Sequence, residues 1–393
     1  MQIIRSLIKL LFISLSCLIP RNKKKWVFGN YSGFADNSKY LFISLSEKAY
    51  AHYSFIWIGN SKDEVSYIRS LGLNSYYRWS VVGMYHSLTA GVYIYNSYIN
   101  DINITTFGGA IKVNLWHGIG IKNIERKITT GPLSKVYNGG YLNKLSHLKA
   151  FIKPDVFLST SPMMTKHFSE CFGIGEKQCI ESFYPRCDIF RYDDGRIKSF
   201  IRKYGYENQS KLIDVISRFS KCYIYMPTWR DTDDDFIRRT GIDFSELNKA
   251  LSDSNSLLIL KLHPMSHLNI DEASCTNIIK ADNDMDIYPI LPFTHCLITD
   301  YSSIYYDYIL QKNKDVIFYI PDYREYIGSV RDFAFDFNEC TIGEKVFSFE
   351  ELLSIISSQR TIVSNQDRIM QMFWTHCDDS AEDLFQKIVE KVN

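Results

Sequence analysis

Two serines near residue 300 have the residue type and position of a phosphate-binding turn. Ser302 and Ser303 follow a short apolar run at residues 296–298, whose length is typical of a buried strand. An apolar pattern with helical spacing begins directly after them. Serine at a helix start can cap the helix, because its oxygen accepts from a free backbone N–H group, and the same N–H groups attract phosphate. The two serines alone leave both interpretations open.

A histidine has a comparable position earlier in the chain. His117 ends the apolar run at residues 113–116 and precedes glycines at positions 118 and 120. Glycines leave the backbone around the histidine open, and the ordinary pKa of a histidine lies near neutral, so His117 suits a general base. The alternative, on this evidence alone, is a structural histidine in a tight turn.

A threonine and an arginine follow the predicted strand at residues 222–226. The hydroxyl group of Thr228 and the guanidinium group of Arg230 could both bind phosphate. Arg230 could equally pair with Asp231 or with solvent. Arg186 closes the first half of the chain and offers one more cation to a ligand.

Two cationic or donor groups follow the predicted strand at residues 257–260. Lys261 and His263 point to the same side of an extended chain, because side chains alternate along a strand. His263 and His267 have a spacing that can bind a metal on a helix, but Pro264 places His263 at a strand end. We therefore predict no metal site there.

Four predicted strand ends thus carry histidine, threonine, lysine with histidine, and paired serines. These groups supply cations and hydroxyls, and the acidic exceptions are Asp300 and Asp307. The acidic run at residues 231–235 is more often a solvated loop than a magnesium site. This inventory suits a phosphorylated nucleotide ligand, bound without an obligatory metal or other cofactor.

The elements that must position these residues alternate between strand and helix patterns. A strand, a helix and a strand fit within residues 294–321, which is one βαβ unit. The same alternation along the rest of the chain predicts doubly wound parallel sheets, with ligands at the carboxyl ends of the strands. The predicted strands are residues 26–28, 55–58, 92–95, 113–116, 156–158, 179–181, 222–226, 257–260, 296–298 and 316–320.

A length of 393 residues predicts two domains, which would face each other across a cleft. The polar stretch at residues 191–221 has the composition of a helical linker between them. The predicted divisions are a membrane-association helix with a basic linker, an acceptor-side domain, a nucleotide-binding domain and a last helix, at residues 1–24, 25–200, 201–380 and 381–393.

The composition argues against nucleic-acid binding and against a disulfide-rich or zinc-stabilised protein. Basic residues number 45 and acidic residues 44, so no overall positive charge attracts nucleic acid. The nine cysteines are scattered singly, without a C-x-x-C pair. This pattern favours a reducing cytosol and argues against a disulfide or zinc framework.

The first apolar run, residues 3–19, is too short and too interrupted for a comfortable membrane span. On a helix, the polar residues Gln2, Arg5, Lys9 and Ser16 fall opposite the apolar residues Ile4, Leu7, Leu11, Leu15 and Leu18. Pro20 and the basic run at residues 21–25 follow. The pattern predicts an amphipathic helix on an anionic membrane surface. The alternatives are a signal peptide and a helix packed on the core of the protein itself.

Five ordered motifs, with one more upstream, resemble the CDP-glycerol glycerophosphotransferase family, the polymerases and primases that transfer polyol phosphate in teichoic-acid and capsule synthesis. Each motif alone is weak, whereas their order and spacing together are specific, and the resemblance covers roughly residues 25–380. The motifs are residues 116–118, 184–188, 227–231, 261–264 and 299–303, and the upstream segment is residues 36–40.

The resemblance implies a GT-B fold and a peripheral enzyme on the cytoplasmic face of the bacterial cell membrane, with the nucleotide bound mainly by the C-terminal domain. It implies that His117 is the catalytic base and that His263 is the second essential histidine. The positions implied to contact the CDP-polyol are Gly118, Ile119, Gly120, Ile121, Arg186, Pro227, Thr228, Lys261, Leu262, Ser302, Ser303 and Asp307. One departure is Ile119-Gly120, where the family commonly has Thr-Pro, and it leaves the polyol and the acceptor open.

The function expected from these residues is phosphoryl transfer. A hydroxyl group of a lipid-linked or polymeric acceptor, deprotonated by His117, would attack the β-phosphorus of a CDP-activated polyol, and CMP would leave. The expected partners are this donor, this acceptor and an anionic membrane surface at residues 1–25, without nucleic acid. Two alternatives are a nucleotide-sugar glycosyltransferase of the same fold and a non-catalytic membrane-bound subunit of a capsule-assembly complex.

Overall fold

The computed structural model describes residues 2–48, 50–230, 239–263, 268, 274–326, 332–360 and 365–392. It forms two compact units. The first unit contains residues 1–117, 124–188 and 372–393, and the second contains residues 118–123 and 189–371. This grouping differs from the sequence-based boundaries at residues 200 and 380, because residues 189–200 belong to the second unit and residues 372–380 to the first.

The first unit is built on a seven-stranded sheet in which every paired strand runs parallel. The order is β3-β2-β1-β4-β5-β6-β7. The chain adds β2 and β3 on one side of β1 and then adds β4 to β7 on the other side. The strands are β1 Asn22–Phe28, β2 Ser54–Gly59, β3 Ser75–Tyr77, β4 Ala90–Tyr95, β5 Ile111–Asn114, β6 Val156–Ser159 and β7 Cys179–Glu181.

The second unit has a six-stranded parallel sheet in the order β10-β9-β8-β11-β12-β13. Its central strands are apolar because helices cover both faces of a parallel sheet. The strands are β8 Lys221–Met226, β9 Ser256–Leu260, β10 Ile278–Lys280, β11 Cys296–Thr299, β12 Asp315–Tyr319 and β13 Glu344–Val346.

Most of the α-helices lie between consecutive strands, while the first helix precedes β1 and the last three follow β13. They are α1 Gln2–Ser16, α2 Asp36–Glu47, α3 Lys62–Ser70, α4 Val81–Thr89, α5 Gly131–Asn138, α6 Tyr141–Ser146, α7 Pro162–Phe172, α8 Asp194–Tyr204, α9 Glu207–Ile216, α10 Phe244–Asp253, α11 Ile304–Tyr308, α12 Tyr323–Glu325, α13 Phe349–Ser358, α14 Asp367–Phe373 and α15 Ala381–Val392. Short 3-10 helices are Ile99–Asp101, Glu125–Lys127, Leu148–Phe151, Glu176–Gln178, Pro185–Arg191 and Leu291–Phe293.

All ten predicted strand segments overlap an observed strand. The segment predicted at residues 113–116 ends earlier, at Asn114, because Trp116 adopts a left-handed backbone conformation with φ of 53°. The stretch at residues 191–221, expected to be a helical linker, contains α8 and α9 and belongs to the second unit.

The last helix, α15, completes the aromatic core of the first unit. The ring of Phe385 lies 5.1 Å from that of Trp26 and 4.6 Å from that of Tyr50, centroid to centroid. Both Phe385 and Trp26 are buried. Residues before α15 attach it further, since the Thr160 hydroxyl donates to the Phe373 carbonyl at 2.6 Å.

Helix α1 packs its small polar residues inward and leaves its large apolar residues outside. Ser6 and Ser16 are buried, and the Ser16 hydroxyl accepts the backbone N–H of Gly108 at 2.9 Å. A Cβ on Gly108 would lie 2.4 Å from the Ile13 carbonyl oxygen, so only glycine fits this contact. The exposed apolar side chains of this segment are Ile4, Leu7, Ile8, Leu11, Phe12, Leu15 and Leu18.

The basic run after α1 is part of the fold and not a free linker. Residues 22–24, expected in a basic linker, are the first residues of β1. The Arg21 guanidinium donates to backbone carbonyls from three segments, at Ser87, Ala90 and Thr106 among others. No helix among the described residues is long and apolar enough to cross a membrane.

Candidate active site

His117 lies just past the carboxyl end of β5, in a turn that the sequence fixes locally. The side-chain oxygen of Asn114, the last residue of β5, accepts the backbone N–H of Trp116 at 2.8 Å. The Trp116 ring packs on Phe172, with centroids 4.8 Å apart and the planes nearly perpendicular. This packing holds the left-handed backbone of Trp116, a strained conformation for a bulky residue.

The contacts of the His117 ring determine which nitrogen can accept a proton. Its Nδ1 lies 3.1 Å from the Asn96 carbonyl oxygen and 3.2 Å from the Ser97 hydroxyl. A carbonyl oxygen only accepts, so Nδ1 must carry the hydrogen. The lone pair is then on Nε2, which is the atom that can act as a base.

The surroundings of His117 keep the ring neutral. The residue is exposed to solvent, yet removal of water by the surrounding protein lowers the pKa of His117 below its ordinary value, and the Asp36 carboxylate opposes this shift. A histidine with a lowered pKa is unprotonated at neutral pH. The base form is therefore the resting form.

Arg186 is buried in the same unit as His117 and pairs with Asp36. Its Nη1 lies 2.5 Å from the Asp36 Oδ1, and the Arg186 side chain is 3% exposed. Asp36 itself begins α2 with a left-handed backbone, φ 65°. The structure therefore places Arg186 beside an acidic partner in the first unit, and its predicted contact with the CDP-polyol stays a prediction.

In the second unit, Thr228 follows β8 and is held by a buried ion-pair network. The Thr228 backbone N–H donates to Asp300 Oδ1 at 2.8 Å. Arg230 pairs with Asp300 at 2.8 Å and with Asp322 at 3.0 Å, and it donates to the Thr228 carbonyl. Arg230 and Asp300 are thus buried framework residues that fix the Pro227-Thr228 turn, and Asp231 lies outside the described residues.

The segment after His117 joins the second unit and packs against the serines after β11. A Cβ on Gly118 would lie 2.8 Å from the Ser303 hydroxyl oxygen, whereas one on Gly120 would keep an ordinary 3.7 Å from the Ser303 Cβ. Ile119 and Ile121 are buried. The structure therefore brings Gly118 and Ser303 into direct contact.

Lys122, which the sequence reasoning missed, joins this group. Its Nζ lies 3.3 Å from the Thr228 hydroxyl, and an isolated β-bridge pairs Lys122 with Phe333. A cation four residues after Gly118, on the same motif, was the available signal. Thr228, Ser303 and Lys122 supply two hydroxyls and one ammonium group, as an oxyanion ligand requires.

The helix start at Ser302-Ser303 does not support the capping interpretation at Ser303. Ser303 has helical backbone angles, φ −64° and ψ −18°, and its side chain makes no capping hydrogen bond. Both serines are partly exposed. Helix α11 has only five residues, so its dipole is small and the hydroxyl groups are the stronger attraction for an anion.

Lys261 and His263, beyond β9, have different surroundings. The Lys261 ammonium donates to the carbonyls of Asp282 and Asn283, each at 2.7 Å, and burial lowers its pKa. His263 is exposed and stacks on Trp229, with centroids 5.0 Å apart. The structure thus brings His263 to the turn that contains Thr228, while the Lys261 ammonium contacts main-chain carbonyls.

The remaining predicted positions are buried. Leu262 is buried beside His263, and Asp307 on α11 accepts the Tyr288 hydroxyl at 2.6 Å. The described residues contain no cluster of three histidine, cysteine or acidic side chains suited to a metal ion. His267 lies outside the described residues, and metal independence stays a prediction.

Two parallel α/β sheets, with polar groups beyond the carboxyl ends of their strands, define the fold as GT-B type. The chain belongs to the CDP-glycerol:poly(glycerophosphate) glycerophosphotransferase family, whose model matches residues 11–392. The predicted family, fold class and enzyme class are therefore confirmed.

Named relatives come from teichoic acid synthesis. The chain is 27% identical over 390 residues to a teichoic acid poly(glycerol phosphate) polymerase of Bacillus spizizenii, covering 95% of this chain and 93% of that protein. It is 23% identical to a teichoic acid ribitol-phosphate primase of the same species, covering 94% and 91%. It spans only 46% of a Bacillus subtilis poly(glycerol phosphate) polymerase, at 25% identity.

Solved structures share the fold. The wall teichoic acid polymerase TagF matches with a TM-score of 0.70 at 21% identity, over 100% of this chain and 96% of that chain. A UDP-GlcNAc 2-epimerase from Methanocaldococcus jannaschii matches with a TM-score of 0.55 at 8% identity, over 93% and 99%. The fold is therefore common to a polymerase and an epimerase.

Proposed function

We propose that this protein transfers glycerol phosphate or ribitol phosphate from a CDP-activated donor to a hydroxyl group of a lipid-linked or polymeric acceptor. The family supports the reaction class. The observation that supports the chemistry is the hydrogen bond from His117 Nδ1 to the Asn96 carbonyl, since it leaves Nε2 as a base. Teichoic-acid-like or capsular polymer would be the product.

In the proposed step one P–O bond forms, one P–O bond breaks and one proton moves to His117. His117 Nε2 accepts the proton of the acceptor hydroxyl as its oxygen attacks the β-phosphorus of the donor. A new phosphodiester forms, the bond from the β-phosphorus to the oxygen of CMP breaks, and CMP leaves with the electron pair. Catalysis by positioning and charge stabilisation is sufficient for such a transfer.

The second unit offers the groups for the diphosphate of the donor. The hydroxyls of Thr228 and Ser303 and the ammonium of Lys122 are donors to phosphate oxygens, and His263 adds an exposed ring beside Trp229. Hydrogen bonds to charged oxygens become valuable as charge moves onto the leaving CMP. Lys261 would act indirectly, by shaping the loop at Asp282 and Asn283.

We propose further that α1 lies on the anionic, cytoplasmic surface of the membrane. Its large apolar side chains are exposed although the helix is anchored by Ser16 and Ile13 on the opposite side. A second exposed apolar group begins α4, at Trp79, Val81, Val82 and Tyr85. Since Arg21 donates both to the Ser16 carbonyl and to the Ser87 carbonyl, the carboxyl ends of α1 and α4 adjoin.

The donor is tested by incubating the protein and a membrane acceptor with CDP-glycerol, CDP-ribitol and a panel of UDP-sugars, and by measuring the released nucleotide. Release of CMP from one CDP-polyol, with the polyol phosphate found in the polymer by mass spectrometry, is expected. Consumption of a UDP-sugar would instead show a glycosyltransferase, and no consumption of any donor would show a non-catalytic subunit.

A further inference from the structure

The amino-terminal residues of α2 connect the two loops that position His117. We call Asp36, Asn37 and Ser38 the α2 clamp. Asn37 and Ser38 are completely buried, and each bonds to a loop far away in the sequence. These residues belong to the upstream motif, but no role follows for them from the sequence.

Asn37 holds the turn after β5. Its Nδ2 donates to the Trp116 carbonyl at 2.9 Å and to the Leu115 carbonyl at 3.4 Å. Its Oδ1 accepts the backbone N–H of Arg186 at 3.3 Å. One amide group therefore fixes the two residues that precede His117 and the backbone of the arginine that pairs with Asp36.

Ser38 holds the loop after β4, whose carbonyl binds the His117 ring. The Ser38 N–H and hydroxyl both donate to Asn96 Oδ1, at 3.1 Å and 3.0 Å. On its other side, Asp101 Oδ2 accepts the backbone N–H groups of Asn96 and Ser97, at 3.0 Å and 2.8 Å. The Asn96 carbonyl is thus fixed where it accepts from His117.

The Asn96 side chain shows that this arrangement is retained at an energetic cost. Its Nδ2 is buried and has no hydrogen-bond partner among the described residues. A buried donor without a partner destabilises the folded state. Two strained residues, Asp36 and Trp116, lie in the same assembly with positive φ. Unpaired groups and strained backbone persist where surrounding contacts enforce them, most often at functional sites.

We propose that Asn37 is a positioning residue for His117. By fixing the Leu115 and Trp116 carbonyls, it holds the ring where Nδ1–H meets the Asn96 carbonyl and Nε2 remains free to accept a proton. The proposal rests on the proposed function for its consequence in turnover, but its structural content, the tautomer of His117, is independent of any substrate.

The kinetic test compares Asn37→Ala with a matched control, Asn103→Ala. Asn103 is also buried in the first unit and bonds to Thr105, away from His117. Asn37→Ala should lower the single-turnover rate about 10–100-fold, the cost of misplacing a catalytic group by about 1 Å, while donor affinity by calorimetry is unchanged. Equal rates for the two variants would overturn the proposal.

A double substitution separates positioning from a general structural role. If Asn37 acts only through His117, adding Asn37→Ala to His117→Ala should cause no further loss, because residues that act as a unit are not additive. An additional loss of similar size in the His117→Ala protein would contradict this. Ser38→Ala, which removes one of two donors to Asn96 Oδ1, should give a smaller loss in the same direction and replaces Asn37→Ala if that variant does not fold.

A measurement without substrate distinguishes failure of this proposal from failure of the proposed function. Nitrogen-15 NMR of the imidazole nitrogens, with His117 assigned by comparison with His117→Ala, should show a single Nδ1–H tautomer in the natural protein. Asn37→Ala should show a mixture of tautomers, and Asn103→Ala should not. An unchanged tautomer in Asn37→Ala overturns the proposal even if the protein consumes no CDP-polyol.

Discussion

At the scale of single residues, the two histidines have different surroundings, so replacing each with alanine should have a different effect on catalysis and on donor binding. His117 bonds to a backbone carbonyl in the first unit, whereas His263 stacks on Trp229 in the second. His117→Ala should lower the single-turnover rate about a hundredfold or more with unchanged donor affinity, because a base acts only on the acceptor proton. His263→Ala should lower both quantities, since a phosphate contact also acts in the ground state.

The control for these variants is His147→Ala. His147 also bonds through Nδ1 to a backbone carbonyl in the first unit, that of Asn143. Its replacement therefore shows the effect of removing a similarly bonded imidazole ring away from the proposed site. Its variant should retain the natural rate. Equal loss of donor affinity in His117→Ala and His263→Ala would remove the base role from His117.

The pH dependence of kcat/KM follows from the lowered pKa of His117. Activity should rise as His117 loses its proton, with a midpoint below the ordinary value of about 6.5. The Asp36 carboxylate raises this pKa, so Asp36→Asn should move the midpoint to a still lower pH. A midpoint that moves upward, or not at all, would show that another group controls the profile.

Two neighbouring glycines give a matched pair of substitutions. Gly118→Ala places a methyl group 2.8 Å from the Ser303 hydroxyl oxygen and must displace it, whereas Gly120→Ala makes an ordinary contact at 3.7 Å. We expect about a tenfold loss of donor affinity for Gly118→Ala, equal to one lost hydrogen bond to a charged group, and little change for Gly120→Ala. Calorimetry with CDP measures both, and the reverse ranking would place the donor away from Ser303.

Residue types indicated chemistry well but could not show which groups bind each other. Arg230 was open between phosphate and an acidic partner, and the structure shows it buried between Asp300 and Asp322. Asp322 lies 92 residues away along the chain, so no local pattern contains this pairing. Asn37 was missed for the same reason, because its partners Leu115, Trp116 and Arg186 are defined only by the fold.

At the scale of elements, the central strands were predictable, whereas β7 was the one edge strand of the four in the two sheets that was predicted. The three missed strands, β3, β10 and β13, are all edge strands of three residues. An edge strand is partly exposed, so it needs no continuous apolar run. Their sequences therefore lack the pattern by which the central strands were recognised.

The exposed face of α1 gives a prediction about membrane binding. Leu7 and Leu11 are each about half exposed, at 52% and 59%, so replacing both with serine should change the free energy of unfolding by less than about 1 kcal/mol. Affinity for anionic vesicles should fall about tenfold or more, because apolar area no longer enters the lipid. Vesicle sedimentation measures this.

The control is Tyr206→Ser, which removes an exposed aromatic side chain from the second unit. Binding of the natural protein should also weaken at high salt, since Arg5 and Lys9 on α1 contribute an electrostatic part. Unchanged sedimentation of the double variant would leave α1 without a membrane role. Loss of folding would show that the leucines pack on the protein.

At the scale of the whole molecule, the α/β class and two-sheet organisation followed from the alternation of patterns. The GT-B assignment needed the ordered motifs. The path of the chain could not be predicted from the sequence. Apolar periodicity shows that α15 buries one face, but it does not show against which of the two cores this face packs. The structure places Phe385 of α15 among Trp26, Tyr50 and Tyr53.

This placement predicts that α15 stabilises the first unit. Phe385→Ala should lower the free energy of unfolding by about 3–5 kcal/mol, the usual cost of a large cavity in a core. Phe347→Ala, in which the removed ring is about half exposed, should change it by less than about 1 kcal/mol. Urea unfolding followed by tryptophan fluorescence measures both, and equal effects would mean that α15 is dispensable for the core.

The return of residues 372–392 to the first unit also sets an order of events during synthesis. The ribosome produces the seven strands of that unit first, then almost the whole of the second unit, and only afterwards Phe385. A chain that ends anywhere before α15 lacks Phe385, so the rings of Trp26, Tyr50 and Tyr53 lose their contacts with it. The first folded unit therefore closes only after α15 has been made, and chains that terminate before α15 expose aromatic surface that quality-control proteases and chaperones recognise.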